Sequence, residues 1–159
     1  MRLTRQTMVL AALILIAAIL LCMFCLFPMA APSATDPVLE TEAQDWDASA
    51  MAPASPVPGI QIPGYDTVYF PEGADEVPMT LYNPQDNPCY FVFTLFADGA
   101  EEPLYTSDYI EPGKAVTQIQ LSQRLAAGEH SLTIHIDTYA LDTVEPLNNA
   151  EVQALLMVV

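Results

Sequence analysis

The sequence predicts an all-β fold: an antiparallel β-sandwich of about seven strands over residues 59–159, preceded by one N-terminal transmembrane helix and a disordered stalk. Three observations carry that expectation. Short apolar runs alternate with Pro, Gly, Asn and Asp clusters throughout 59–159; no stretch after the first apolar run sustains a 3.6-residue period; and that first run is uncharged and long.

Met8 to Phe27 reads MVLAALILIAAILLCMFCLF, without a charge, a proline or a glycine. A helix of that length spans about 30 Å, the thickness of a bilayer's hydrocarbon core. Arg2 and Arg5 precede it and the next cation is Lys114. The charge bias therefore puts residues 1–7 in the cytoplasm, residues 8–29 across the cell membrane as a signal anchor, and the rest outside, giving a single-pass protein. The competing reading is a cleaved secretory signal, whose apolar core usually runs about 7–15 residues. Proline spoils most cleavage positions in Ala30-Ala31-Pro32-Ser33-Ala34 and leaves Ala31-Pro32-Ser33 tolerable. Cys22 and Cys25 follow Leu21 and Phe24 rather than the small residue a lipid-attachment site wants, and read as apolar filler.

Residues 30–58 are rich in Ala, Pro, Ser and acids, and prolines at 32, 37, 53, 56 and 58 interrupt any helix. A linker is expected there, with Trp46 its only large aromatic residue.

From Gly59 the strands follow in order. Thr67–Phe70 is stopped by Pro71-Glu72-Gly73, and Val77–Tyr82 by the turn run from Asn83 to Pro88. Cys89–Phe96 is the most apolar and ends at Asp98-Gly99; a short strand at Leu104–Ser107 precedes the Pro112-Gly113 turn. Ala115–Leu121 alternates Ala115, Thr117, Ile119 and Leu121 toward one side; Ser131–Tyr139 and a last strand from about Ala150 to Val159 complete the set. Seven short strands in about a hundred residues fit an Ig-like sandwich better than a barrel or propeller. Phe91, Phe93, Leu132, Ile134, Ile136, Val152 and Leu156 are the expected core.

Three pieces carry a resemblance: the Leu81-Tyr82-Asn83-Pro84 strand end, the Tyr105-x-Ser107 and Ile110-x-Pro112-Gly113 pair, and Leu121 to Gly128 leading into Leu132-Thr133-Ile134. With Ile62-Pro63-Gly64-Tyr65 ahead of them, the domain resembles small membrane-anchored Ig-like surface proteins of Gram-positive bacteria that lack a characterised activity. A looser similarity joins its Pro-Gly and Leu-x-x-Gly layout to Ig-like proteinase inhibitors. The resemblance implies a fold and no catalytic residues. Where many such domains carry a tyrosine two residues past the glycine, this chain has His130.

All twenty acidic residues lie beyond the apolar run, against Lys114 and Arg124 alone, a formal charge of −18. No nucleic-acid partner is expected, because such a surface needs a basic face. Cys89 is the lone cysteine after the membrane segment and opens an apolar strand, so it reads as a buried thiol and the domain as disulfide-free. Two histidines and one cysteine are too few for a transition-metal site, no Gly-rich phosphate loop occurs, and no cofactor is expected. Ser131, His135 and Asp137 have the residue types of a triad. Four residues of strand nevertheless separate Ser131 from His135 by about 13 Å, too far for a hydrogen bond. No catalytic residue is assigned.

The third, sixth and seventh expected strands are sheet neighbours in an Ig-like sandwich. If Cys89, Phe91, Phe93 and Leu95 point inward, the outward set is Tyr90, Val92, Thr94 and Phe96, with Ser131, Thr133, His135, Asp137 and Tyr139, and with Leu155, Met157 and Val159. Within it Tyr90, Val92, Phe96, His135, Tyr139, Leu155, Met157 and Val159 are the candidate binding residues, on a face too apolar for ordinary solvated surface. The expected function is a membrane-anchored, extracytoplasmic, non-enzymatic module that binds a protein partner at the cell envelope as adhesive, scaffold or accessory subunit. The alternative is a carbohydrate-binding or proteinase-inhibitor-like domain released by signal cleavage.

Overall fold

The structure is a computed structural model that describes residues 36–47 and 59–159. The expected cytoplasmic segment 1–7, membrane helix 8–29 and linker pieces 30–35 and 48–58 lie outside the described residues.

Among the described residues eight strands form: β1 (Gln44–Asp45), β2 (Thr67–Phe70), β3 (Glu76–Tyr82), β4 (Cys89–Ala97), β5 (Tyr105–Thr106), β6 (Lys114–Gln120), β7 (Gly128–Ala140) and β8 (Pro146–Val158). They make two sheets, ordered β1-β6-β3 and β2-β8-β7-β4-β5. The β8-β7-β4 and β6-β3 adjacencies are the G-F-C and E-B adjacencies of an Ig-like sandwich.

The two-residue period of β4 decides the architecture. Cys89, Phe91, Phe93 and Leu95 are fully buried while Tyr90, Val92, Thr94 and Phe96 between them are half-buried. Facing them across one core are Val77, Met79, Leu81, Val116 and Ile119 of the other sheet, with Leu132, Ile134, Ile136 and Leu156 beside them. Val152, expected in that core, packs half-buried against its rim.

Three expectations are corrected. The sandwich is not wholly antiparallel, since β2 runs parallel to β8, Thr67 opposite Leu155 and Phe70 opposite Val158. The two strands are far apart in sequence and joined by no hairpin, so nothing local in Thr67–Phe70 sets their direction. Second, on β6 the buried pair is Ala115 and Val116, and Thr117 lies outside the core. A bulge between Pro78 and Leu81 shifts the β3–β6 register and breaks the strict alternation. Third, residues 36–47 of the expected linker are part of the sandwich.

That segment is a strap. Tyr109 N–H donates to Val38 O at 3.2 Å and Glu40 N–H to Tyr109 O at 2.9 Å, beside the five-stranded sheet. Gln44 and Asp45 then pair with Ala115 and Lys114 at the edge of the three-stranded sheet, and Trp46 N–H donates to Gly113 O at 3.0 Å. Main-chain bonds hold it, with Ala43 against the core and the Glu40 carboxylate accepting from Asp108 N–H at 2.9 Å. On the opposite side Ile60 and Tyr65 pack against the same core.

One buried polar cluster fixes the turn between β3 and β4. Asn83, 1 % exposed, donates to Cys89 O and Ile110 O, both at 2.9 Å, and accepts from Asn87 Nδ2 at 2.9 Å. Asn87 in turn binds both main-chain groups of Gln61. Every side-chain polar group of Asn83 is satisfied, which is the condition for burying it.

Candidate functional site

The outward face of the five-stranded sheet is built from alternate residues of β8, β7 and β4, the three strands the sequence places side by side. In register, Tyr90 lies opposite Tyr139, Val92 opposite Asp137, Thr94 opposite His135 and Phe96 opposite Thr133. Toward β8, Glu129 lies opposite Met157, Ser131 opposite Leu155, Thr133 opposite Gln153 and His135 opposite Glu151. β2 extends the face with Thr67 beside Leu155 and Tyr69 beside Met157.

This register divides the candidate residues into three groups. At one end Tyr90 and Tyr139 are cross-strand neighbours, with Val92 in the next layer. Ten residues of β7 farther on, about 33 Å along the strand, Met157 and Leu155 lie with Tyr69, which is 60 % exposed. Val159 follows the end of β8 and is 70 % exposed, its carbonyl accepting from Glu72 N–H at 2.8 Å. Between the ends Phe96 and His135 meet, ring centroids 5.1 Å apart, and His135 Nε2 lies 3.2 Å from a Glu151 carboxylate oxygen. Thr133, Gln153 and Thr94 complete a polar middle. The face is therefore aromatic and apolar toward its two ends and more polar between them. Alternation gives the side each residue faces, whereas position along the sheet depends on strand lengths and the β7–β8 hairpin, which alternation does not encode.

The tyrosine end contains a residue sequence reasoning missed. Tyr109 packs on both partners, with its ring centroid 5.1 Å from Tyr139 at an interplanar angle of 90°, and 5.8 Å from Tyr90 at 59°. It follows β5, where Ile110 bridges to Phe91 and the strap binds the Tyr109 main chain. Leu104, Ser107 and Ile110 are buried in that stretch at three-residue intervals, so no alternation marks Tyr109 as outward. Tyr69 was the more legible omission, because Val68 and Phe70 on either side of it turn toward the core. Burial, with the Asp137 carboxylate and Tyr109 nearby, holds the Tyr139 phenol above its usual range.

The triad-like residues do not converge. His135 is engaged with Glu151 and Phe96, Ser131 N–H donates to Asp98 Oδ1 at 2.9 Å, and Asp137 lies opposite Val92 and Asn149. Cys89 is a free thiol, fully buried, and burial raises its pKa. Among the described residues no three His, Cys, Asp or Glu side chains are grouped to hold a metal.

A second arrangement, at the start of β7, concerns His130. Its Nδ1 lies 2.6 Å from Asp98 Oδ2 and its Nε2 2.9 Å from Ala126 O. The ring thus ties the strand back to the chain four residues upstream, as the hydroxyl of a tyrosine corner does. Both ring nitrogens face acceptors, an arrangement that only the doubly protonated imidazolium satisfies. The Asp98 and Ala126 contacts accordingly raise the His130 pKa.

No family model matches the chain, and no curated protein matches it. Among solved structures it is similar to the crystal structure of the periplasmic chaperone SfaE, with 14 % identity and a TM-score of 0.30 over 60 % of this chain. The matched part spans 55 % of that chain's length. A likeness this slight assigns neither a family nor a function.

Proposed function

We propose that the chain is a non-enzymatic protein-interaction module, held in the cell membrane by residues 8–29 and displayed on the extracytoplasmic side, whose partner docks on the outward face of the five-stranded sheet. The observation that carries this reading is the group Tyr90, Tyr109 and Tyr139. Three large rings are held together, outside the core cluster, on a face whose core is complete without them. Aromatic side chains in such positions are the residues that dominate protein interfaces. The membrane placement rests on the uncharged run at 8–27 and on Arg2 and Arg5 ahead of it.

The test is site-specific photo-crosslinking in intact cells. A photoreactive phenylalanine at Val92 is expected to trap a discrete envelope protein that the same residue at Gln118, on the other sheet, does not. Equal products from both positions, or none from Val92, would reject the face. Separately, protease added to protoplasts is expected to remove the domain and spare the N-terminus; a protected domain would reverse the orientation.

A further inference from the structure

We infer that the corner formed by Tyr90, Tyr109 and Tyr139 is a cation-binding site, and that the docked segment of the protein partner presents a lysine or arginine side chain to it. The inference deepens the docking reading above and rests on it for the identity of the ligand as protein. It stands on three observations: ring geometry, the nearby acid, and the charge balance of the domain.

The three rings come from three different parts of the chain and are mutually tilted, at 90° between Tyr109 and Tyr139 and 59° between Tyr109 and Tyr90. In the 90° pair the edge of one ring meets the face of the other, so the groups left to meet a ligand are the faces not used in these contacts and the phenol oxygens, both electron-rich. Asp137 lies one layer along the sheet, opposite Val92, and acts on the Tyr139 phenol. An ammonium or guanidinium beside these rings has electron-rich aromatic groups from three tyrosines and a carboxylate within one strand layer.

Among the described residues every basic side chain is engaged away from the corner, His130 with Asp98 included. The domain's twenty carboxylates stand against Lys114 and Arg124, and these are paired with Asp45 and Asp75, both at 2.6 Å. His135, on the same face, is engaged with Glu151. Charge also selects among occupants. A second copy would bring another −18, and nucleic acid or an anionic lipid surface would be repelled likewise. A basic protein segment is the occupant that this surface attracts.

The test uses the full-length protein in detergent micelles and a fluorescein-labelled twelve-residue peptide of alternating lysine and threonine, with binding read by anisotropy. The comparison peptide carries norleucine in place of lysine. The lysine peptide is expected to bind at least ten-fold more tightly, with Tyr109→Leu and Tyr139→Leu each weakening it about three-fold or more and Asp137→Asn doing the same. Glu72→Gln, remote from the corner, is expected to leave binding within two-fold, which separates the corner from general acidity. Equal loss from Glu72→Gln and Tyr109→Leu, or equal affinity for the norleucine peptide, would overturn the site. If the tyrosine variants lose their fold, ring-carbon NMR shifts of wild-type Tyr90, Tyr109 and Tyr139 on peptide addition decide instead, and unmoved rings refute the proposal. The two readings fail separately: a lysine-selective corner whose variants still crosslink the envelope protein from Val92 retains the site but rejects its role in docking. Crosslinks lost in the tyrosine variants without lysine selectivity retain docking but reject the cation.

Discussion

The inner and outer rows of β4 and β7 share one backbone and differ in everything else. Inward, Phe91, Phe93, Leu95, Leu132, Ile134 and Ile136 are fully buried in a single apolar cluster. Outward, Tyr90, Val92, Phe96, His135 and Tyr139 are half-buried among Thr133, Glu151 and Gln153. The inner row is closed by the opposite sheet and sets stability. The outer row is chemically varied although the fold does not require it to be, and its tyrosine end is where a partner is proposed. Substitutions one residue apart on the same strand should therefore have opposite signatures.

The largest effect is expected in the inner row. Phe93→Ala removes a fully buried ring and should cost about 3–5 kcal/mol in denaturant unfolding, a large share of a typical domain stability of about 5–15 kcal/mol. Thr94→Ala beside it should stay within about 0.5 kcal/mol. Comparable losses from the two would erase the distinction between the rows.

Next comes Asn83→Ala, expected to cost about 2–3 kcal/mol because Cys89 O, Ile110 O and the Asn87 amide lose a buried partner. Hydrogen exchange should locate the loss at the β3–β4 turn and the Ile60–Ile62 segment rather than across β7.

A smaller effect depends on pH. His130 has a folded-state pKa raised chiefly by its hydrogen bond to Asp98, so its contribution is complete below the unfolded value of about 6.5 and is lost as pH rises through the folded value. The Asp98 carboxyl is lowered chiefly by the same bond, so its share is complete above about pH 4 and lost as pH falls through its folded value. Other charges near the site are Glu129 on β7 and Asp66 before β2. The wild-type thermal midpoint is expected to drop from pH 6 to pH 8.5, and that of His130→Gln to change less. Parallel curves would mean that the corner does not depend on the imidazolium.

The smallest effect is at the surface: Lys114→Met, which removes the pair with the 93 % exposed Asp45 carboxylate, should leave the thermal midpoint unchanged.

What was legible in the sequence follows from what a period of two encodes. It assigned Cys89, Phe91, Phe93 and Leu95 to the core and Tyr90, Val92 and Phe96 to the other side, and it placed β4, β7 and β8 as neighbours once an Ig-like sandwich was expected. It could not place Tyr90 and Met157 at opposite ends of one sheet, because that separation comes from thirteen-residue strands pairing along their length. Tyr109 joined the site through main-chain pairing with Val38 and Glu40, in a stretch read as linker because its composition is acidic, proline-bearing and without alternation. A strap held by backbone bonds and by single polar side chains such as Glu40 and Asp45 leaves no periodic side-chain pattern to read.

The strap also determines how the domain responds to force. A pull on the chain at Asp36 reaches the Val38–Tyr109 and Glu40–Tyr109 bonds and the two-residue β1 before it reaches the long β7–β8 ladder. Those few edge bonds are expected to yield one after another at low tension, releasing about 40 Å of contour from twelve residues while the sandwich stays folded. The same release removes the support that these bonds give the Tyr109 main chain, so tension applied at Asp36 is expected to loosen the tyrosine corner before it disturbs the sandwich.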